Sequence, residues 1–186
     1  MAEQTIIHTK LDGALVFASQ STAGNGGFNS STGAANTGSQ TYTVNYEAGD
    51  LSLTVPDPAI SNYLDRGKLG ATPSVRYGDD QPITFSFSAY FRDLVSSGDV
   101  GLMDILNRTG VVGSSWISTL SSSGSTDNAE VFAVDLRWEV TNAGDATDTH
   151  RLVLPFCTLN YSLSEGDPNS ISISGTSWSV APSVLV

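Results

Sequence analysis

Apolar and polar residues alternate with period two along most of the chain, the spacing of strands that bury one face. Ile83, Phe85, Phe87, Ala89 and Phe91 fall on one side, and Thr84, Ser86, Ser88, Tyr90 and Arg92 on the other. The pattern returns in Phe132, Val134, Leu136, Trp138 and Val140, opposed by Ala133, Asp135, Arg137 and Glu139. Tyr42, Val44 and Tyr46, followed by Leu51, Leu53 and Val55, predict the two arms of a hairpin. Its turn falls at Glu47-Ala48-Gly49-Asp50, where glycine supplies a backbone freedom that turns use. Two strands, Thr5 to Lys10 and Gly13 to Ser19, open the chain.

The phase of the pattern breaks at two places. His150, Leu152, Leu154 and Phe156 share a face, but beyond Pro155 the apolar set moves to Leu159, Tyr161 and Leu163, which predicts a bulge or bend. A second switch is expected at Gly175, between Ile171 and Ile173 on one side and Trp178 and Val180 on the other. Helical spacing is confined to Asp99 to Arg108, where Val100, Leu102, Met103 and Leu106 line one face. The expected fold is all-β: an antiparallel β-sandwich or partial barrel with one short flanking α-helix, in a single domain spanning 1–186. Between the early strands lies Ser21 to Gln40, uncharged and rich in Gly, Ser, Asn and Ala, which reads as a long mobile loop with Phe28 as its one large apolar residue.

Composition narrows the function. The 186 residues carry 8 basic and 19 acidic side chains, a net charge of −11. So acidic a chain cannot bind phosphate backbones by neutralising them. Cys157 is the sole cysteine and reads as a small core residue. The N-terminus, MAEQTIIHTK, lacks the basic start and apolar run of a secretion signal, which predicts a cytoplasmic site of synthesis. The longest apolar runs, such as Leu152 to Phe156, are too short to cross a bilayer.

Candidate chemistry is sparse. His8 and His150 are the only histidines, and both read as structural or exposed. Asp79-Asp80 and Glu165-Gly166-Asp167-Pro168 carry hard-cation ligands, but their spacing is that of turns. No catalytic residue, cofactor or metal is therefore expected. A carbohydrate-binding or adhesin-type β-sandwich module is the alternative from another class. Of the aromatic residues it would need, Trp138 and Trp178 stand in register with apolar neighbours and read as core, leaving Trp116 as the exposed candidate. A hydrolase would require His8 or His150 to be indispensable.

Three stretches in order, NYEAGDLSLTVPD (Asn45 to Asp57), PITFSFSAYFRDL (Pro82 to Leu94) and LNYSLSEGDPNSISISG (Leu159 to Gly175), resemble the major tail tube proteins of tailed bacteriophages. The resemblance covers about two thirds of the chain. It implies a virion protein of the tail, made in the host cytoplasm, that forms hexameric rings stacked into a tube through which DNA is ejected. Its implied partners are further copies of itself and other tail proteins (tape measure, terminator, and distal tail or baseplate proteins), with DNA passing the lumen unbound and no membrane involved. On that reading Glu47, Asp50, Asp135 and Glu139 are candidates to face the lumen, where their charge would repel DNA within a Debye length of ~8 Å. Phe28, Asn29 and Asn36 in the long loop, Asp65, Arg66 and Lys68 in the Asp57 to Ala71 connection, and Leu185 and Val186 at the apolar end are candidates for contacts between subunits or rings.

Overall fold

The period-two segments become strands of one antiparallel sheet. A computed structural model describes residues 13–20, 26–44, 50–63, 74–90, 100–116, 118, 131–142, 145–179 and 181–185. The sheet runs β2 (Thr41–Val44), β1 (Gly13–Ala18), β7 (Val134–Asn142), β8 (Asp145–Ser164), β9 (Ser170–Ser177), β6 (Ile83–Tyr90), β3 (Ser52–Thr54), with β10 (Ser183–Leu185) also on β8. A separate hairpin pairs β4 (Ile60–Tyr63) with β5 (Ser74–Tyr77). The fold is therefore all-β, and the sheet does not close into a barrel.

β8 folds the sheet on itself. Its pairing with β7 jumps from Leu136↔Leu154 to Val134↔Cys157, so β8 carries one residue more than its partner: a bulge at the proline. There Phe156 takes a left-handed conformation (φ 53°), which disfavours a residue with a Cβ by ~1–2 kcal/mol. The bulge's polar groups are all engaged. The Phe156 N–H donates to Asp135 Oδ1 at 3.0 Å, Ser177 Oγ to the Pro155 carbonyl at 2.6 Å, and the Trp178 N–H to the Phe156 carbonyl at 3.2 Å.

Either side of the bend the sheet forms two layers. One contains β2, β1, β7, the first half of β8 and β10; the other contains the second half of β8, β9, β6 and β3. Their facing sides share one core, in which Leu15, Phe17, Leu136 and Leu154 meet Ile83, Phe85, Phe87, Ile171 and Ile173, all buried. Phe17 and Phe87 touch across the layers with ring centroids 6.1 Å apart. Burying side chains of this size contributes roughly 1.5–3 kcal/mol each. Cys157 sits fully buried in the same core, as its small size allows.

Several expectations change. The segments Tyr42–Tyr46 and Leu51–Val55 do not form a hairpin: β2 pairs with β1 and β3 with β6, at opposite ends of the sheet. A polar-turn signal specifies reversal and leaves the partner open. The helix is shorter than Asp99 to Arg108 and is followed by another: α1 (Leu102–Asn107) stops where Arg108 turns left-handed, and α2 (Gly110–Ser115) follows. Leu102, Ile105, Val112 and Trp116 cap the core from this unit. Glycine and serine in α2 hid it from the periodicity.

No phase switch occurs at Gly175. Ile171, Ile173, Gly175 and Ser177 stay on the inward face, and a Cβ on Gly175 would collide with the Phe85 ring and the Thr158 carbonyl. Two of the tryptophans, Trp116 and Trp178, invert expectation, while Trp138 packs against the core as its register predicts. Trp116 is 4% exposed in the core, Trp138 is half-buried, and Trp178 is 55% exposed just beyond the end of β9. Trp178 follows the outward parity of Ser172, Ser174 and Thr176, because the phase switch expected at Gly175 does not occur. The expected strand Thr5 to Lys10 lies outside the described residues.

Candidate functional site

The two layers present different outer faces. On the β1–β7–β8 layer, Asp135, Arg137 and Glu139 alternate outward as their parity requires, but residues 26–40 lie over them. Asp135 is fully buried and binds three chain segments. Its Oδ2 accepts the Gly27 N–H at 2.6 Å, and its Oδ1 accepts the Phe156 N–H at 3.0 Å and Gln20 Nε2 at 3.3 Å. Burial raises its pKa, opposed by the N–H donors of Phe156 and Gly27, then Gln20 and Phe28. Glycine at 27 permits the close approach, since a Cβ there would stand 2.5 Å from the Ser19 carbonyl oxygen.

The rest of the loop is fastened by arginines. The Arg137 guanidinium lies 4.9 Å over the Phe28 ring and donates to the Gly33 carbonyl at 2.8 Å. Arg151 donates to the Thr32 carbonyl at 3.1 Å. Glu139 Oε2 lies between them, 3.5 Å from Arg137 Nη2 and 2.8 Å from Arg151 Nε. Burial lowers the Arg137 pKa; Glu139 opposes that and Arg151 adds to it. Within the loop, Asn29 Oδ1 accepts the N–H groups of Ser31 and Thr32, Asn36 Nδ2 donates to the Gly26 carbonyl at 2.6 Å, and the Ser19–Gln40 backbone bond closes the ends.

This geometry corrects several sequence assignments. Asp135 is no exposed acid, because the loop seals it in, and Glu139 is neutralised by two arginines. Phe28, 4% exposed, packs with Val16, Ala18, Val153 and Leu185 in a second small core of its own chain. Asn36 likewise braces its own loop, while Asn29 stays on the surface. Leu185 is held because β10 pairs with β8. The described part of the expected mobile loop is thus a compact cover whose ends meet. Glu47, Asp65, Arg66, Lys68 and Val186 lie outside the described residues.

Among the described residues, nothing lies over the outer face of the β3–β6–β9–β8 layer, and that face is almost uncharged. Register places Thr54, Thr84, Thr176 and Thr158 in one row across four strands, and Ser52, Ser86, Ser174 and Asn160 in the next. Ser88, Ser172 and Ser162 form a third. Asp50, beside Ser88, is the single charged residue among the described outward positions. Its Oδ2 accepts the Ser88 N–H at 2.6 Å, while its buried Oδ1 has no partner. A shallow groove of about 330 Å³ crosses these rows between Asp50 and Asn160. Trp178 borders the threonine row, its Nε1 donating to Thr158 Oγ1 at 3.2 Å.

Among the described residues this layer has two open edges: β3 pairs only with β6, and residues 158–164 of β8 pair only with β9. No protein-family model matches the chain. No curated protein matches it either. Among the described residues no group of three or more His, Cys, Asp or Glu could hold a metal, and no helix is long and apolar enough to cross a membrane. The hydroxyl rows were half-legible, since Thr84, Ser86 and Ser88 alternate in plain sight. That they align with β9 and β8 depends on register, which alternation within one strand does not specify.

Proposed function

We propose that the protein is the structural subunit of a phage-type tail tube, assembling into hexameric rings that stack around a passage for DNA. The observation that carries this reading is the pair of unlike open edges on one four-stranded layer. Strand direction alternates through β3, β6, β9 and β8, and the number of strands is even. A rotated copy therefore sets its β3 antiparallel to the free half of β8 in its neighbour. Joining unlike edges is a head-to-tail contact, which closes into a ring and removes exposed edges. The net charge of −11 supports passage of DNA without adsorption. The order of the three tail-tube-like stretches supports the same reading.

The test is direct. Purified full-length protein, concentrated or at raised salt, should give rings or tubes of uniform diameter by negative-stain microscopy. A particle that stays monomeric in every condition would refute the proposal. One observation favours a second reading, a carbohydrate-binding module: the exposed Trp178 beside hydroxyl rows and a groove offers a stacking face and hydrogen-bonding partners. Retention on a glycan array that is lost in Trp178→Ala would favour it.

A further inference from the structure

We propose that the bare hydroxyl face of the β3–β6–β9–β8 layer is the wall of the tube's bore, and that this wall is nearly neutral along its length. The inference rests on the ring reading above and replaces the expectation of an acid-lined lumen. Joining β3 to β8 between copies makes this layer the continuous one, so one of its faces must look inward to the axis. Its other face packs on the protein core, except for the exposed Tyr161 and Leu163 at the free end of β8. The outer face of the second layer is closed off by residues 26–40, and its acids Asp135 and Glu139 are occupied within the chain.

The chemistry of the rows fits a hydrated polyanion in transit. Serine and threonine hydroxyls both donate and accept, so they hold a water layer without fixing a partner. They offer no cation to exchange for a counterion, and so no salt-dependent grip on phosphate. They also offer no array of carboxylates to repel it. Face-to-face packing of a second sheet would instead require apolar side chains interdigitating across the whole face, whereas its large exposed rings, Tyr90 and Trp178, stand only at opposite margins of the hydroxyl rows. Charge gathers at the ends of the strands, with exposed Glu165 and Asp167 in the β8–β9 turn and exposed Asp79 and Asp80 ahead of β6. Within the wall Asp50 supplies one carboxylate per subunit, near the β8–β9 turn.

Thiol labelling of Ser174→Cys and Ser86→Cys tests this in the full chain. Cys157 gives a silent background, being fully buried with a thiol pKa pushed well up by burial. Ser30→Cys, on the exposed loop, serves as an outside control. In free subunits all three engineered sites should react with small and polymer-linked maleimides alike. In tubes verified by microscopy, Cys at 174 and 86 should still take the small reagent but lose the polymer-linked one at least tenfold, while the control keeps both. Rates with cationic and anionic thiosulfonates of equal size should keep the free-subunit ratio within about threefold, whereas an acid-lined bore concentrates cations about tenfold or more. Equal polymer labelling of tubes and subunits would overturn the wall assignment and leave the ring reading standing. A cationic preference of about tenfold would overturn neutrality alone. Absence of tubes would sink the ring reading and this inference with it.

Discussion

The two layers of the sheet are built from the same alternating sequence pattern and end up with opposite outer faces. On the β1–β7–β8 layer the outward side chains are large or charged, and a loop folds over them; on the β3–β6–β9–β8 layer they are mostly small hydroxyls, and none of the described residues covers them. The difference lies in what each face requires. Val16, Phe28 and Val153 must leave water, and Asp135 and Arg137 can be buried only with partners. Residues 26–40 supply both, as apolar contact and as backbone N–H and C=O groups aimed at the two charges. Serine and threonine hydroxyls can bond water as donor and acceptor, so their rows need no cover.

The largest effect is expected from cutting the cover loose. Asp135→Ala leaves the N–H groups of Gly27 and Phe156 and the Gln20 amide without their acceptor, and should cost about 3–5 kcal/mol in urea denaturation. Both the loop and the β8 bend should lose hydrogen-exchange protection together, since one carboxylate holds both. Phe28→Ala should cost about 3 kcal/mol, with faster exchange confined to residues 26–36. A cost below 1 kcal/mol would mean that the loop contributes no core.

On the other layer, sensitivity should be inward only. Gly175→Ala forces a methyl against the Phe85 ring and should cost about 1–3 kcal/mol, seen as a lower thermal midpoint. Ser174→Ala, one residue away on the outward face, should stay within about 0.5 kcal/mol of wild type.

A pH titration separates the layers more gently. Burial raises the Asp135 pKa, so the folded chain holds that proton more tightly than the unfolded chain. Its contribution is complete below the unfolded value of ~3.9 and is lost as pH rises through the raised folded value. Asp135→Asn should remove that fall from the stability profile, whereas Asp50→Asn on the bare layer should leave it in place.

Much of this arrangement could be read along the chain. The inward faces of β6 and β7, the core role of Cys157 and the break at Pro155 follow from alternation and from what proline does to a strand. Alternation decides only which residues share a side. That the side bearing Asp135 is covered, and the side bearing Ser174 is not, depends on a loop that shows no periodicity.

Trp116 and Trp178 mark the same limit: the parity of its neighbours points Trp178 inward and leaves Trp116 as the exposed ring, yet strand pairing exposes Trp178 and helix packing buries Trp116. Side-chain period and composition are local properties, and they suffice to make the chain acidic and all-β with one apolar side to each strand. Tertiary structure alone decided that β2 and β3 lie at opposite ends of one sheet, that Asp135 anchors a loop and a bend, and that four strands align their hydroxyls. Register and layer contacts join residues far apart in sequence, and their energies exist only once both partners are in place.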